Sequence, residues 1–376
     1  MESSGRAELQ RHVATATSIR GKHSQARVRA AASALLSFAL CLPPATSSAD
    51  QSTATSEQPA PASAPPAPTS NAAAVDEAID EVVVSGEQPG PPLWKVSKGD
   101  HVMWVLGALT PLPKKITWRS REVESVIERA KEIIAQESVT TNIGFFRGMR
   151  LLPAAMRARK NPDGRELKDV LTPADYARWA HLKSLYIGKD NGIESWRPML
   201  AGFELYQKAL DKSGLARSNV IWPEVKKLAK KHDVPLKEPL IRIELDDPRG
   251  LLKDFTETPV QADIACFTAT LERLETDLEP MKQRAAAWAV GDVETLKRLQ
   301  TRTQEATCLD AVTSVPRLQD EYTKIRARAY AEWMTIVENA LAHNDVTLAI
   351  LPMPDLLSPT GRLAQLQAKG YTVEPP

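Results

Sequence analysis

The stretch Val346–Val373, VTLAILPMPDLLSPTGRLAQLQAKGYTV, decides the fold. Asn344-Asp345 turns the chain into Val346–Leu351, a β-branched and apolar run that reads as a buried strand. Ser358 with Pro359 has the composition of an N-cap and first helical position. Gly370 reads as the stop of that helix, and Tyr371–Val373 as a closing strand. Strand, helix and strand in 28 residues predict a sheet with helices on it.

Working back from this end, Ile325, Ala329, Trp333, Ile336 and Ala340 form a helical stripe. The middle of the chain carries more of the same pattern. Met199, Phe203, Tyr206 and Leu210 share one face, and Ile264, Phe267, Leu271, Leu274 and Leu278 another. Gly291 ends a helical stretch and Asp292 caps the next. Ile241–Leu245 alternates as a strand with one polar face. Lys226, Lys227, Lys230 and Lys231 read as a solvated helix face. Val123, Val126, Ile127, Ala130, Ile133 and Ile134 have helical spacing, with Ile133–Ala135 a short buried strand in the alternative. Leu93–Val96 and Val102–Leu106, parted by Ser97-Lys98-Gly99-Asp100, predict a β-hairpin. The expected class is α/β (α+β): a mixed central sheet formed by the N- and C-terminal segments, with a large helical middle region.

The first 80 residues have no such patterning. Ala30–Leu42 is apolar over 13 residues, short of the about 20 that span a bilayer. Arg27 and Arg29 precede it, and Ser47-Ser48-Ala49 supplies small residues for cleavage before Asp50. This order predicts a secretory signal over 1–49, with a long n-region that points to a translation start further downstream. Residues 51–74 hold 20 Ala, Pro, Ser or Thr out of 24, so 50–80 is expected to be a disordered linker. A single domain is expected over 81–376. The exported protein is expected in a periplasm of Gram-negative type or secreted, with no transmembrane segment in the mature chain.

Composition excludes several functions. The chain of 376 residues carries 48 Lys+Arg and 47 Asp+Glu, a net charge of +1. Loss of 1–49 leaves 42 basic and 45 acidic residues, so no basic excess serves nucleic acid. Three cysteines are too few for a disulfide scaffold or a four-cysteine zinc site. Export leaves Cys266 and Cys308, which are expected to pair. No H-E-x-x-H, C-x-x-C, phosphate-loop or G-x-S-x-G pattern occurs.

Three segments in order carry a likeness: PLWKVSKGDHVMWVLGALTPLP from Pro92, WRPMLAGFELYQKAL from Trp196, and the closing stretch from Val346. The chain resembles the TraB/GumN family, the group of the Tiki-like metalloproteases, over nearly all of 81–376. The resemblance implies two Gly-x-x-His motifs and a glutamate after the first helix, holding a divalent metal for hydrolysis. Here the first motif reads Gly107-Ala108-Leu109-Thr110, with threonine in the histidine position. The second region reads Leu351-Pro352-Met353-Pro354-Asp355, without glycine or histidine. The glutamate falls at Gln136 or Glu137. A neutral hydroxyl is a poor metal ligand, so no cofactor is expected. The leading expectation is a catalytically degenerate binding or accessory protein with a protein or envelope partner. A metal-dependent hydrolase with a relocated site, for example His101, Asp355 and Glu137, and a structural envelope protein are the alternatives.

Overall fold

A computed structural model describes residues 90–116, 118, 121–141, 143–299 and 303–376. The expected signal over 1–49 and linker over 50–80 lie outside these residues.

The predicted hairpin forms β1 (Leu93–Lys98) and β2 (His101–Ala108), paired antiparallel from Lys98↔His101 to Leu93↔Leu106. Gly99 turns the chain at φ +62°, a conformation that glycine adopts without strain. The helix after it, Arg121–Arg129, ends before Ile133, and β3 (Glu132–Ile134) takes the two isoleucines. The strand alternative is the correct one there. Ile133 and Ile134 are fully buried because β3 is a strand covered on both faces, which defeats a one-face pattern. Two short parallel pairs follow: β4 (Ser138–Thr141) with β6 (Leu240–Ile243) in a small sheet, and β5 (Leu236–Lys237) on β3. β7 (Val346–Pro352) and β8 (Thr372–Glu374) come from the C-terminal stretch. The main sheet has the order β5-β3-β7-β2-β1-β8. Its centre, β3-β7-β2, is parallel, and β1 pairs antiparallel with β2 and β8. The expected α/β class holds, and the hairpin from Leu93 joins the C-terminal stretch in one mixed sheet.

The helical middle has its own core. Trp179, Leu205, Phe267 and Leu271 pack together between the helices Pro173–Tyr186, Pro198–Lys212 and Val260–Thr276. The buried face of Pro198–Lys212 is Ala201, Gly202, Leu205 and Ala209. Of the expected stripe, Met199 and Leu210 are buried, while Phe203 and Tyr206 are only half-buried. Small residues win because the Phe267 ring lies so close that a Cβ on Gly202 would sit 3.2 Å from it. Beside this core, Arg197 donates to both Asp263 oxygens at 2.7 and 3.1 Å and to the carbonyls of Phe255 and Thr258. The Cys266 and Cys308 sulfurs lie at disulfide bonding distance and tie Val260–Thr276 to the helix Thr303–Thr313.

The 28-residue helix Pro316–His343 joins the two regions. Near its start Ile325 and Ala329 cover Ile241 and Ile243 of β6. Further on, Trp333, Val337 and Ala340 enter the core of the main sheet. Among the described residues no helix is long and apolar enough to cross a membrane.

Candidate functional site

The three motif regions singled out in the sequence, Gly107–Thr110, Gln136-Glu137 and Leu351–Asp355, leave the same edge of the sheet. β2, β7 and β3 run parallel side by side, with Gly107 opposite Leu351 and Ala108 opposite Pro352. The chain beyond their carboxyl ends is Leu109-Thr110, Met353–Asp355 and Ala135–Glu137. Open α/β sheets place ligands in this position.

The edge is closed by apolar side chains on the Gly107 side. A Cβ on Gly107 would collide with the Met353 Sδ and stand 3.0 Å from Trp94 and 3.2 Å from Leu356. Met353 is buried within a short helix, Met353–Leu356, that the sequence reading did not foresee. The Gly107 carbonyl is taken by the buried Trp288 indole, which donates at 2.6 Å. Thr110 is exposed, and its side chain makes no hydrogen bond among the described residues.

On the other side stands a charged cluster. Arg362 opens the helix Arg362–Ala368, and its guanidinium donates to Asp355 Oδ2 and to Glu137 Oε1. Its backbone N–H donates to Asp355 Oδ1 at 3.1 Å. The side chains of Arg362, Asp355 and Glu137 are 12%, 6% and 14% exposed. Of the two candidates for the glutamate position, Glu137 turns inward, while Gln136 is exposed. The guanidinium also lies over the ring of the buried Trp333, 5.1 Å from its centre. Burial works to lower the Arg362 pKa, yet Asp355 and Glu137 outweigh it and raise it above the usual arginine value. Tyr330, which donates to Gln365 nearby, has its hydroxyl pKa raised by burial.

This arrangement corrects the expected helix start. Ser358 and Pro359 do not cap; Gly361 is the N-cap, and Ser358 is buried beside Thr360. The Asp355 carboxylate caps Arg362–Ala368 instead, from seven residues upstream. Gly361 is needed for that approach, since a Cβ there would collide with the Asp355 carbonyl.

The histidines stand elsewhere. His101 begins β2, and its Nδ1 lies 2.9 Å from the Asn344 carbonyl at the opposite edge of the sheet. Seven residue steps separate it from Ala108, about 23 Å of strand. The combination of His101 with Asp355 and Glu137 is therefore not formed. His343 is at that far edge too, against the Asn339 carbonyl, and His232 faces Glu124 at 3.4 Å. Among the described residues no group of three or more His, Cys, Asp or Glu could hold a metal ion.

The divalent metal that the resemblance implies does not fit this donor set. The space between the two carboxylates is taken by a fixed cation. Three buried atoms of the cluster lack a hydrogen-bond partner: Glu137 Oε2, Arg362 Nε and Trp333 Nε1. Two of the three are N–H donors, which repel a cation. The sequence reading marked Trp333 only as part of a helical stripe and gave Arg362 no role. Arg362 does stand directly after Gly361 in the closing stretch, but nothing local reveals that it folds back onto Asp355.

The model of the TraB/PrgY/gumN family matches residues 92–375. No curated protein and no solved structure matches the chain.

Proposed function

The chain belongs to the TraB/PrgY/gumN family, and from that premise we propose that it is an exported, catalytically degenerate member. In this reading it works as a binding or accessory protein of the cell envelope. One observation carries the loss of activity: the Arg362 guanidinium pairs with both Asp355 and Glu137. A hydrolytic metal needs about three protein ligands and an open position for water. Here two carboxylates are bridged by one arginine, Thr110 faces solvent, and Met353 packs against Gly107. Export rests on the basic, apolar and small-residue order that ends at Ala49.

Cell fractionation with N-terminal sequencing tests the address. The protein should begin near Asp50 and lie outside the cytoplasm; a cytosolic protein retaining Ala30–Leu42 refutes export. Peptidase assays with added zinc, cobalt or manganese test the degeneracy. No metal-dependent cleavage is expected, and Thr110→His alone should create none. Metal-dependent turnover by the wild-type protein refutes the reading.

A further inference from the structure

From Ser138 to Pro162 the chain has no acidic residue and five basic ones, Arg147, Arg150, Arg157, Arg159 and Lys160. Most of this stretch is the helix Phe145–Ala158, which packs on Pro248–Glu257 through one side only. Leu151 and Ala158, seven residues apart, are its buried positions. The other side is apolar and open. Phe145, Phe146, Met149 and Met156 are 51%, 75%, 45% and 41% exposed. They are four of the seven large hydrophobic side chains exposed among the described residues.

The pattern on the helix is ordered. Phe145, Met149 and Met156 lie along one row, at i, i+4 and i+11. The next row reads Phe146, Arg150, Pro153 and Arg157, so cations run beside the apolar band. Arg150 and Arg157 are exposed and have no acidic partner among the described residues. Arg159 is different: its guanidinium lies 4.0 Å from the centre of the Trp196 ring and belongs to the fold.

We propose that the outward face of Phe145–Ala158 docks on the surface of a bilayer containing anionic phospholipid. A helix with an apolar band and unpaired arginines at its margin lies in the interfacial plane, its apolar side chains 5–10 Å deep. The exposed phenylalanines and methionines enter the acyl boundary, while the arginines meet phosphate groups. Charge complementarity selects the occupant, because the stretch from Ser138 to Pro162 carries five basic residues and no acidic one. A protein groove that accepted only the apolar band would leave that row of cations unused. The helix is about 21 Å long and holds arginines, so it lies on the membrane and does not span it. This docking is independent of the Arg362 cluster, on other elements of the fold.

Flotation with vesicles tests it, using the protein as recovered from its cells and a Phe146→Glu/Met149→Glu variant. Both share every residue outside the helix, so their difference reports the helix alone. The wild-type protein should float with vesicles of equimolar phosphatidylglycerol and phosphatidylcholine, and much less with phosphatidylcholine alone. Each exposed arginine contributes about fivefold to that preference, which high salt should remove. The variant should keep its thermal unfolding and lose binding by about tenfold or more, since acidic groups replace apolar ones in the interface. Equal binding by the two proteins, or no preference for the anionic vesicles, overturns the proposal. So does a concentration-dependent dimer that the same variant abolishes while vesicles bind neither protein, which would assign the face to a second copy.

Discussion

Replacing Arg362 by methionine keeps much of the side-chain volume and removes the cation between Asp355 and Glu137. The three side chains are 6–14% exposed, so water does little to screen what is left. Breaking a buried ion pair by removing one partner costs about 3–5 kcal/mol. The upper half of that range is expected, because two carboxylates are stranded together and the stack on Trp333 is lost as well. Urea unfolding of Arg362→Met against wild type at neutral pH measures it. The triple variant Arg362→Met/Asp355→Asn/Glu137→Gln should recover most of the stability, since replacing a whole buried ion pair is nearly neutral. A loss below about 1 kcal/mol for Arg362→Met, or a triple variant no better than the single one, refutes the closed-cluster account.

Gly107→Ala should cost about 1–3 kcal/mol by overpacking against Met353 and Trp94. Adding Met353→Ala should cost less than the sum of the single changes, and strict additivity would deny the contact. Thiol counting under denaturing conditions without reductant should find none in the mature protein, where Cys266 and Cys308 close a loop of 42 residues. Reducing that bond should cost about 4 kcal/mol in the chain-entropy model, and two free thiols would contradict the pairing. The Thr295 backbone N–H holds the Asp292 carboxyl below its usual value, so this cap stabilises above pH of about 4 and fades as pH falls below it. Asp292→Ala should flatten the acid limb of a Tm–pH profile, and an unchanged limb would deny the cap.

The elements with local signatures were legible in the sequence. Gly99 marks the hairpin, Asp292 a helix start, Gly370 a helix stop, and β7 stands out as a continuous apolar strand. Where burial is two-sided or set by distant partners, periodicity failed. Ile133 and Ile134 continued a helical spacing but sit in β3. Phe203 and Tyr206 look like a core stripe, yet the core of their helix is made by Gly202 and its small neighbours under Phe267. The candidate site was legible as three positions and not as a mechanism. Sequence placed Thr110, Gln136 or Glu137, and Asp355 in one group, and parallel strands do deliver them to one edge. The partner that joins Asp355 to Glu137 is Arg362, 225 residues from Glu137. An arginine at the start of a short helix carries no sequence mark of such a pairing, and Ser358-Pro359 drew attention to a false cap.

The central claim is that a built-in cation has taken the position of a catalytic metal. Elemental analysis of the purified protein after dialysis against zinc, cobalt and manganese, beside Asp355→Ala, tests this most directly. The account predicts less than stoichiometric metal in both proteins, because the Arg362 guanidinium already occupies the space between Asp355 and Glu137. One tightly held metal ion per wild-type chain, lost on Asp355→Ala, would contradict it.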